Sequence, residues 1–305
     1  MSAAKEPLRI ATRASALARW QADHVAALLA GAHPGLGVEI VPLSTEGDRR
    51  TDVPLSVIGG KGVFAKEVQA AVLDGRADIA VHSAKDLPAL TPDGLVIAAV
   101  PERGDPRDAL VGSTLSALGD GAVVATGSAR RRVQLAEAVA GLGFAELRGN
   151  MATRLERAPE YSAIVVAAVA LERLGLRRRI TEVLDAEVMV PQVGQGALAV
   201  ECRADDERAI ALLGGIEHSA SRRVLDCERA FLLELGGDCS LPAGAHATLD
   251  GGTLHLSAVL APEVTDGSAV VRVERARASG EDGEVLGRRM AAELRNRVEG
   301  DGSDS

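Results

Sequence analysis

The chain is poor in aromatic residues. Its 305 residues include one Trp, one Tyr and three Phe, which together make up 2% of the sequence. So few aromatic rings offer little surface on which nucleic-acid bases could stack, and the formal charge of −9 opposes binding to a polyanion. We therefore expect cores packed with Ala, Val and Leu, and no nucleic-acid partner.

Cysteines are few, and metal-binding motifs and long apolar runs are absent. The three cysteines, Cys202, Cys227 and Cys239, are an odd number without paired spacing, which is typical of a reducing compartment. No CxxC, HxxxH or HExxH pattern occurs. No charged segment followed by an apolar stretch stands at the amino end, and no run approaches ~18 apolar residues. These absences predict a cytoplasmic protein without a metal site or a membrane partner.

Short apolar runs alternate with helical periodicity along the first two thirds of the chain. Strands are predicted at residues 8–11, 37–43 and 77–81, with helices that start near Ser15 and Val63 between them. The same alternation continues to about residue 168. Such βαβ patterns predict α/β domains in which helices cover parallel or mixed sheets.

Two segments rich in proline and glycine, 101–106 and 191–196, are predicted linkers through which the chain enters a second domain and returns. After about residue 216 the pattern changes to helix, strands and helix, and Gly251-Gly252 is typical of a hairpin turn. We therefore predict three domains: residues 1–101 with 195–215 (α/β), residues 102–194 (α/β), and residues 216–305 (small, α+β).

The predicted strand at residues 77–81 ends beside a lysine and an aspartate. It is followed by His82-Ser83-Ala84-Lys85-Asp86, and the carboxyl ends of strands are where open α/β sheets bind ligands. A cation beside a carboxylate suits an anionic substrate, with Lys85 holding it and Asp86 moving a proton. The alternative is a Lys/Asp pair in a surface loop without a function.

Three further segments combine a predicted helix start with hydroxyl groups and arginines. We call them the first, second and third corners: Arg13-Ala14-Ser15, Thr126-Gly127-Ser128-Ala129-Arg130-Arg131, and residues 147–155. Backbone N–H groups and guanidinium groups directed at one point bind anions. Residues 126–179 hold ten arginines and five acidic residues, which also favours recognition of carboxylate or phosphate. The alternative is a set of unrelated helix caps and solvated arginines.

Cys239 lies in the Gly-rich and Pro-rich segment GGDCSLPAG. A free cysteine in a helix or strand is usually a small hydrophobic residue, which is our interpretation of Cys202 and Cys227. The surroundings of Cys239 instead favour an exposed thiol, so it is a candidate nucleophile or attachment point. No histidine lies near it in the sequence to act as its base.

Taken together, these motifs resemble the porphobilinogen deaminase family over about residues 8–244. The matching segments are RIATRASALARWQA, GGKGVFAKE, ADIAVHSAKDLP, ERGDPRDAL, TGSARR, LRGNMATRL, VALERLGL, VGQGALAVECR and GGDCSLPAG. The resemblance implies a three-domain transferase whose first two domains are similar to type II periplasmic binding proteins. Beyond Gly244 the match is loose.

The resemblance also implies the chemistry. Such an enzyme of tetrapyrrole and heme biosynthesis joins four porphobilinogen molecules head to tail, releases ammonia at each step, and frees hydroxymethylbilane by hydrolysis. The growing chain is attached to a dipyrromethane cofactor, which a thioether bond would link to Cys239. Asp86 falls on the catalytic aspartate. The family resemblance further implies a monomer.

Porphobilinogen carries two carboxylates per ring, so several cations and hydroxyl groups must hold the growing chain. The resemblance assigns this binding of cofactor and substrate to Arg13, Ser15, Ser83, Lys85, Thr126, Ser128, Arg130, Arg131, Arg148, Arg154, Arg173 and Gln195. Lys61 and Phe64 are predicted lid residues; Phe64 could stack on a ring, and a place in the core is the alternative for it. One departure is Asp238, where the family usually has glycine; since Asp tolerates positive φ better than most residues, we expect attachment to survive.

Two other functions share parts of this pattern. A non-catalytic anion-binding protein of the periplasmic type would have the same α/β domains and arginines, but it would carry a secretory signal and would not need Cys239. A nucleotide-binding enzyme would need a phosphate-binding fingerprint, and neither GxGxxG after a strand nor GxxxxGK[ST] occurs.

Overall fold

The computed structural model describes residues 6–44, 65–236, 241–262 and 272–300. The described elements, in chain order, are β1 Leu8–Arg13, α1 Ala16–Ala32, β2 Val38–Leu43, α2 Lys66–Leu73, β3 Ile79–Ser83, β4 Leu95–Ala99, β5 Asp108–Val111, β6 Val123–Ala125, α3 Ala129–Ala138, β7 Gly143–Ala145, α4 Met151–Arg157, β8 Ala163–Ala167, α5 Ala168–Arg173, β9 Glu182–Val183, β10 Leu198–Arg203, α6 Glu207–Gly214, α7 Ser219–Glu234, β11 Ala243–Asp250, β12 Thr253–Leu260, β13 Glu274–Gly280 and α8 Gly283–Gly300. The predicted lid residues Lys61 and Phe64 and the predicted attachment residue Cys239 lie outside the described residues.

The chain divides into two compact units. Unit one consists of Met1–Arg103 and Ala197–Arg222, and unit two consists of Gly104–Gly196 and Arg223–Ser305. The predicted helix from Ser15 and the predicted strands of the first 200 residues are observed with shifts of at most two residues at their ends. The division of the chain into three domains stays a prediction.

Unit one contains a five-stranded sheet in the order β2-β1-β3-β10-β4. Strand β1 pairs in parallel with β2 and β3, whereas β10 is antiparallel to both β3 and β4. Because side chains alternate along a strand, Ile10 packs with α1 and α6 on one face while Ala11 packs with Val68 and Val72 of α2 on the other. Both faces are therefore covered by helices, as the alternating sequence predicts.

Unit two contains a second five-stranded sheet, in the order β7-β6-β8-β5-β9. Strand β6 is parallel to β7 and β8, and β5 is antiparallel to β8 and β9. Leu110 and Val165 belong to the core on one face, and Val111 and Ile164 belong to the core on the other. The two α/β sheets thus share one arrangement of parallel and antiparallel strands.

The last part of unit two is a three-stranded antiparallel sheet in the order β11-β12-β13, which packs with α8. The turn between β11 and β12 is the predicted hairpin, where Asp250 pairs with Thr253. Gly251 and Gly252 have φ of 52° and 92°, a conformation of two-residue hairpin turns that residues with a Cβ rarely adopt.

Candidate active site

Asp86 and Arg13 meet at one edge of the sheet in unit one. Arg13 ends β1, and Asp86 ends the 3₁₀ turn Ala84–Asp86 that follows β3. Because β1 and β3 are parallel neighbours, their carboxyl ends lie side by side. Arg13 Nη1 lies 3.9 Å from Asp86 Oδ2, and the two side chains are 23% and 36% exposed. The carboxylate therefore has a cation beside it and remains accessible.

The turn that carries Asp86 is held by its apolar neighbours. Ala84 and Leu87 are both buried, the Ala84 N–H donates to the carbonyl oxygen of Ala197, and the Leu87 N–H donates to that of Ala84. Lys85 and Asp86 lie between these anchors and are half-buried, as is Ser83 at the end of β3. Ser83, Lys85 and Asp86 therefore lie at the carboxyl end of β3, and a ligand bound there stays a prediction.

The hydroxyl group of Ser15 serves the helix that follows it. Its oxygen accepts the N–H of Ala18 at 3.4 Å and caps α1. Thr12 Oγ1 donates to the carbonyl oxygen of Ala18 and is buried. The sequence left open whether this corner is a helix cap or an anion site, and the cap is observed; a carboxylate partner for Ser15 stays a prediction.

The second corner, in unit two, begins with Thr126 and Ser128. Thr126 is buried and its Oγ1 accepts the N–H of Ser128 at 3.2 Å, while the Ser128 oxygen caps α3 by accepting the N–H of Arg131 at 3.4 Å. These bonds fix the first turn of α3, in which Arg130 and Arg131 are buried.

Arg130 and Arg131 both bind Asp108, a carboxylate that the sequence analysis did not single out. Arg130 Nη2 lies 2.7 Å from Asp108 Oδ2, and Arg131 Nη2 lies 2.7 Å from Asp108 Oδ1. Gln195 Nε2 donates to the same Oδ1 at 2.9 Å. The guanidinium side chains are only 3% and 8% exposed and the carboxylate is fully buried. The structure thus joins three of the predicted binding residues through a shared internal anion.

Two carbonyl groups complete this cluster. Arg130 Nη1 donates to the Val190 oxygen at 2.6 Å, and Arg131 Nη1 donates to the Val165 oxygen at 3.1 Å. Burial alone would raise the pKa of the Asp108 carboxyl group, but the two guanidinium charges and the Gln195 hydrogen bond hold it well below its ordinary value. Burial also lowers the pKa of Arg130. An arginine still keeps its proton near neutral pH, so all three groups are charged.

The third corner contains Arg148 and Arg154. Asn150 Oδ1 accepts the N–H of Thr153 at 3.1 Å and caps α4, and Arg154 Nε donates to the carbonyl oxygen of Gly149 at 2.9 Å. Gly149 has φ of 100°, and an added Cβ there would lie 2.9 Å from Thr153, so the close turn requires glycine. Arg148 and Arg154 are half-buried beside this turn.

Arg173 ends α5 and reaches back to the chain at the end of the second linker. Its Nη2 donates to the carbonyl oxygen of Gly196 at 2.7 Å, and burial lowers the pKa of its guanidinium to about 10. By contrast, Arg132 binds the exposed Glu146, and Arg177–Arg179 form an exposed 3₁₀ turn, so these four arginines belong to a solvated face.

Cys202, Cys227 and His82 fit structural roles. Cys202 and Cys227 are fully buried, which raises their thiol pKa to about 11 and about 12. His82 is buried with its Nε2 3.1 Å from Glu201 Oε2. Within the described ranges no group of three or more His, Cys, Asp or Glu side chains could hold a metal ion, and no helix is long and apolar enough to cross a membrane.

Comparison with solved structures shows distant similarities. A nutrient-binding protein from Burkholderia cenocepacia bound to methionine is 13% identical, with a TM-score of 0.41 and coverage of 75% of this chain and 96% of that chain. A periplasmic sulfonate-binding protein from Methylobacillus flagellatus is 14% identical, with a TM-score of 0.39 and coverage of 73% and 67%. YhfZ from Shigella flexneri is 15% identical, with a TM-score of 0.35 and coverage of 76% and 91%.

Comparison with protein families is decisive. Residues 8–211 match the dipyrromethane cofactor binding domain of porphobilinogen deaminase, and residues 223–296 match its C-terminal domain. These matches cover nearly the whole chain. They confirm the predicted fold class, the dipyrromethane cofactor, and the activity of a transferase that condenses porphobilinogen into hydroxymethylbilane. The chain belongs to the porphobilinogen deaminase family.

Proposed function

We propose that Asp86 is the catalytic carboxylate of this transferase and that Arg13 positions it. The observation that carries the proposal is the meeting of an accessible carboxylate and a guanidinium, 3.9 Å apart, where two parallel strands end. Loss of ammonia from porphobilinogen leaves positive charge on its pyrrole ring. A carboxylate that accepts the ring N–H stabilises this charge, and it can then move the proton lost when the ring becomes aromatic again.

We propose that the three corners and Arg173 hold the carboxylates of substrate and cofactor. The donors there are guanidinium groups, hydroxyl groups and backbone N–H groups, the set that carboxylates prefer. Since burial lowers the pKa of Arg173, a carboxylate beside it would offset the cost of burying its charge. Ser83 and Lys85 would also bind carboxylates, at the carboxyl end of β3 in unit one.

The residues of unit two fit an acidic cofactor. Arg130 and Arg131 together carry two positive charges, and Asp108 neutralises one of them. Among the described residues, the buried Arg130 Nε has no hydrogen-bond partner. An added Cβ at Gly244 would lie 3.0 Å from Arg130 Cδ, so the strand that starts shortly after Cys239 runs against this arginine. When bound through Cys239, dipyrromethane supplies the pyrrole to which the first substrate is joined.

The remaining assignments are proposals of the same kind. Lys61 and Phe64 would belong to a lid, and the protein would act as a cytoplasmic monomer without a nucleic-acid partner. We retain three domains, residues 1–101 with 195–215, residues 102–194 and residues 216–305. The gap between the two family matches, after residue 211 and before residue 223, supports the last boundary.

Replacement of Asp86 tests the catalytic role. Asp86→Asn keeps the shape of the side chain but can neither balance a pyrrole cation nor accept a proton near neutral pH. We expect the variant, with its covalent adduct verified by intact mass, to form product at least ~10²-fold more slowly than the parent. Asp86→Glu keeps the carboxylate and should retain more activity than Asp86→Asn.

The matched control is Asp93→Asn, which removes an exposed carboxylate of the same unit before β4. It should turn over like the parent. Product formation by Asp86→Asn within a few-fold of the parent would show that Asp86 only positions substrate, and that another group moves the proton.

A further inference from the structure

Asp108 is placed by backbone bonds that do not involve any ligand. It opens β5, where it pairs with Ala167 of β8, and its carbonyl oxygen accepts the N–H of Leu184 at 2.8 Å. The position of its carboxylate is therefore set by the sheet of unit two. Arg130 and Arg131 reach it from the first turn of α3, on a different element of the same unit.

The carboxylate accepts from both arginines in different ways. Oδ1 accepts Arg131 Nε at 3.1 Å and Arg131 Nη2 at 2.7 Å, while Oδ2 accepts Arg130 Nη2 at 2.7 Å. Two neighbouring guanidinium groups without an anion between them would repel each other, and each could adopt many rotamers. Because both guanidinium groups bind Asp108, each is held in one position. The three groups together carry one net positive charge.

The cluster retains capacity for a second anion. The Asp108 carboxyl stays ionised because the arginines lower its pKa more than burial raises it. Arg130 Nε is buried and has no hydrogen-bond partner among the described residues, although the cost of leaving such a donor unbonded is considerable. A cluster built only for stability would bond this donor, whereas a site that awaits a carboxylate leaves it available.

We infer that Asp108 is a positioning residue, which holds Arg130 and Arg131 in the geometry that binds the carboxylates of the dipyrromethane cofactor and of the first porphobilinogen. The inference rests on the proposed binding role of these arginines. Asp108 itself would touch neither cofactor nor substrate. It acts by fixing two long side chains before the ligand arrives, so that the ligand does not bear the entropy cost of ordering them.

Three variants test this role. Asp108→Asn removes the charge and directs an amide N–H₂ group at one guanidinium. Asp108→Glu keeps the charge but moves it by one methylene. Arg131→Gln removes one of the two bound partners. Asp78→Asn is the matched control. Asp78 directly precedes β3, and its Oδ1 likewise lies 2.7 Å from a guanidinium nitrogen, Arg9 Nη2.

The measurement uses the full chain, produced without porphobilinogen and then incubated with it. Intact mass follows the covalent adduct, and the porphobilinogen concentration that gives half-maximal adduct formation is determined, beside KM and kcat of the loaded protein. We expect Asp108→Asn and Asp108→Glu to raise KM and the porphobilinogen concentration for half-maximal adduct formation about 10-fold or more, and to change kcat much less. In an Arg131→Gln background the same substitutions should have a smaller effect, because only Arg130 remains for Asp108 to position. Asp78→Asn should leave all three quantities unchanged.

Each other result decides against one proposal. If Arg131→Gln leaves KM and adduct formation unchanged, the binding role of the arginines is wrong. If Arg131→Gln raises KM but folded Asp108→Glu does not, only the role of Asp108 is wrong. Loss of the folded circular dichroism spectrum in Asp108→Glu as well as in Asp108→Asn would also overturn it, since the carboxylate would then be part of the structural core.

Discussion

The contact between α7 and α8 predicts a large effect for a single methyl group. Gly287 lies in α8 and is buried against α7. An added Cβ would overlap the carbonyl oxygen of Cys227 and would lie 2.8 Å from the Phe231 nitrogen and 3.0 Å from Ala230 Cβ. The first two are backbone atoms within a helix, and they cannot rotate away as a side chain would. Gly287→Ala therefore forces the two helices apart.

Two opposing contributions set the size of the effect. Ala favours a helix over Gly by about 1 kcal/mol. Overpacking of a core costs about 1–3 kcal/mol, and the overlap with backbone atoms favours the upper end of this range. We therefore expect Gly287→Ala to lower the free energy of unfolding by about 2 kcal/mol, which corresponds to about 4–8 °C in the midpoint of thermal unfolding.

Gly31→Ala is the matched control. Gly31 lies in α1, and an added Cβ there has no heavy atom within 4 Å. Only the helix preference remains at this position, so the control should be as stable as the parent or up to about 1 kcal/mol more stable. Thermal and urea unfolding, followed by circular dichroism, measure both variants. A Gly287→Ala variant as stable as Gly31→Ala would refute the close packing of α7 on α8.

Two further predictions concern protonation. Burial raises the pKa of Asp108, but the charges of Arg130 and Arg131 outweigh it and hold the pKa below the ordinary value of 3.8. The ionised carboxylate therefore stabilises the fold above about pH 4, and this stabilisation is lost as the pH falls. Stability should therefore decrease more steeply between about pH 4 and pH 2 in the parent than in Asp108→Asn, and equal slopes would contradict the assignment. Since burial raises the pKa of Cys202 to about 11 and of Cys227 to about 12, iodoacetamide at about pH 8 should label neither thiol in the native protein but both in urea, as mapped by peptide mass.

Much of the local structure follows from the sequence alone. Alternation of apolar runs and helical periodicity predicted β1, β2, β3 and α1, because each of these elements depends on residues close in the chain. Ser15 and Ser128 cap the helices that they precede, and Gly251-Gly252 forms the predicted hairpin. The motifs also determined the family, which the family comparison confirms without reference to the fold.

Other features were decided only by the tertiary structure. Arg13 and Asp86 are far apart in the sequence and meet because β1 and β3 are parallel neighbours. Asp108 gives no signal of its own in the sequence, because it is a single acidic residue at the start of the apolar segment DALV. Its partners Arg130 and Arg131 come from α3, and the carboxylate reaches them because β5 inserts between β8 and β9. Local propensity does not encode strand order, so the pairing of a buried charge is fixed only when the sheet assembles.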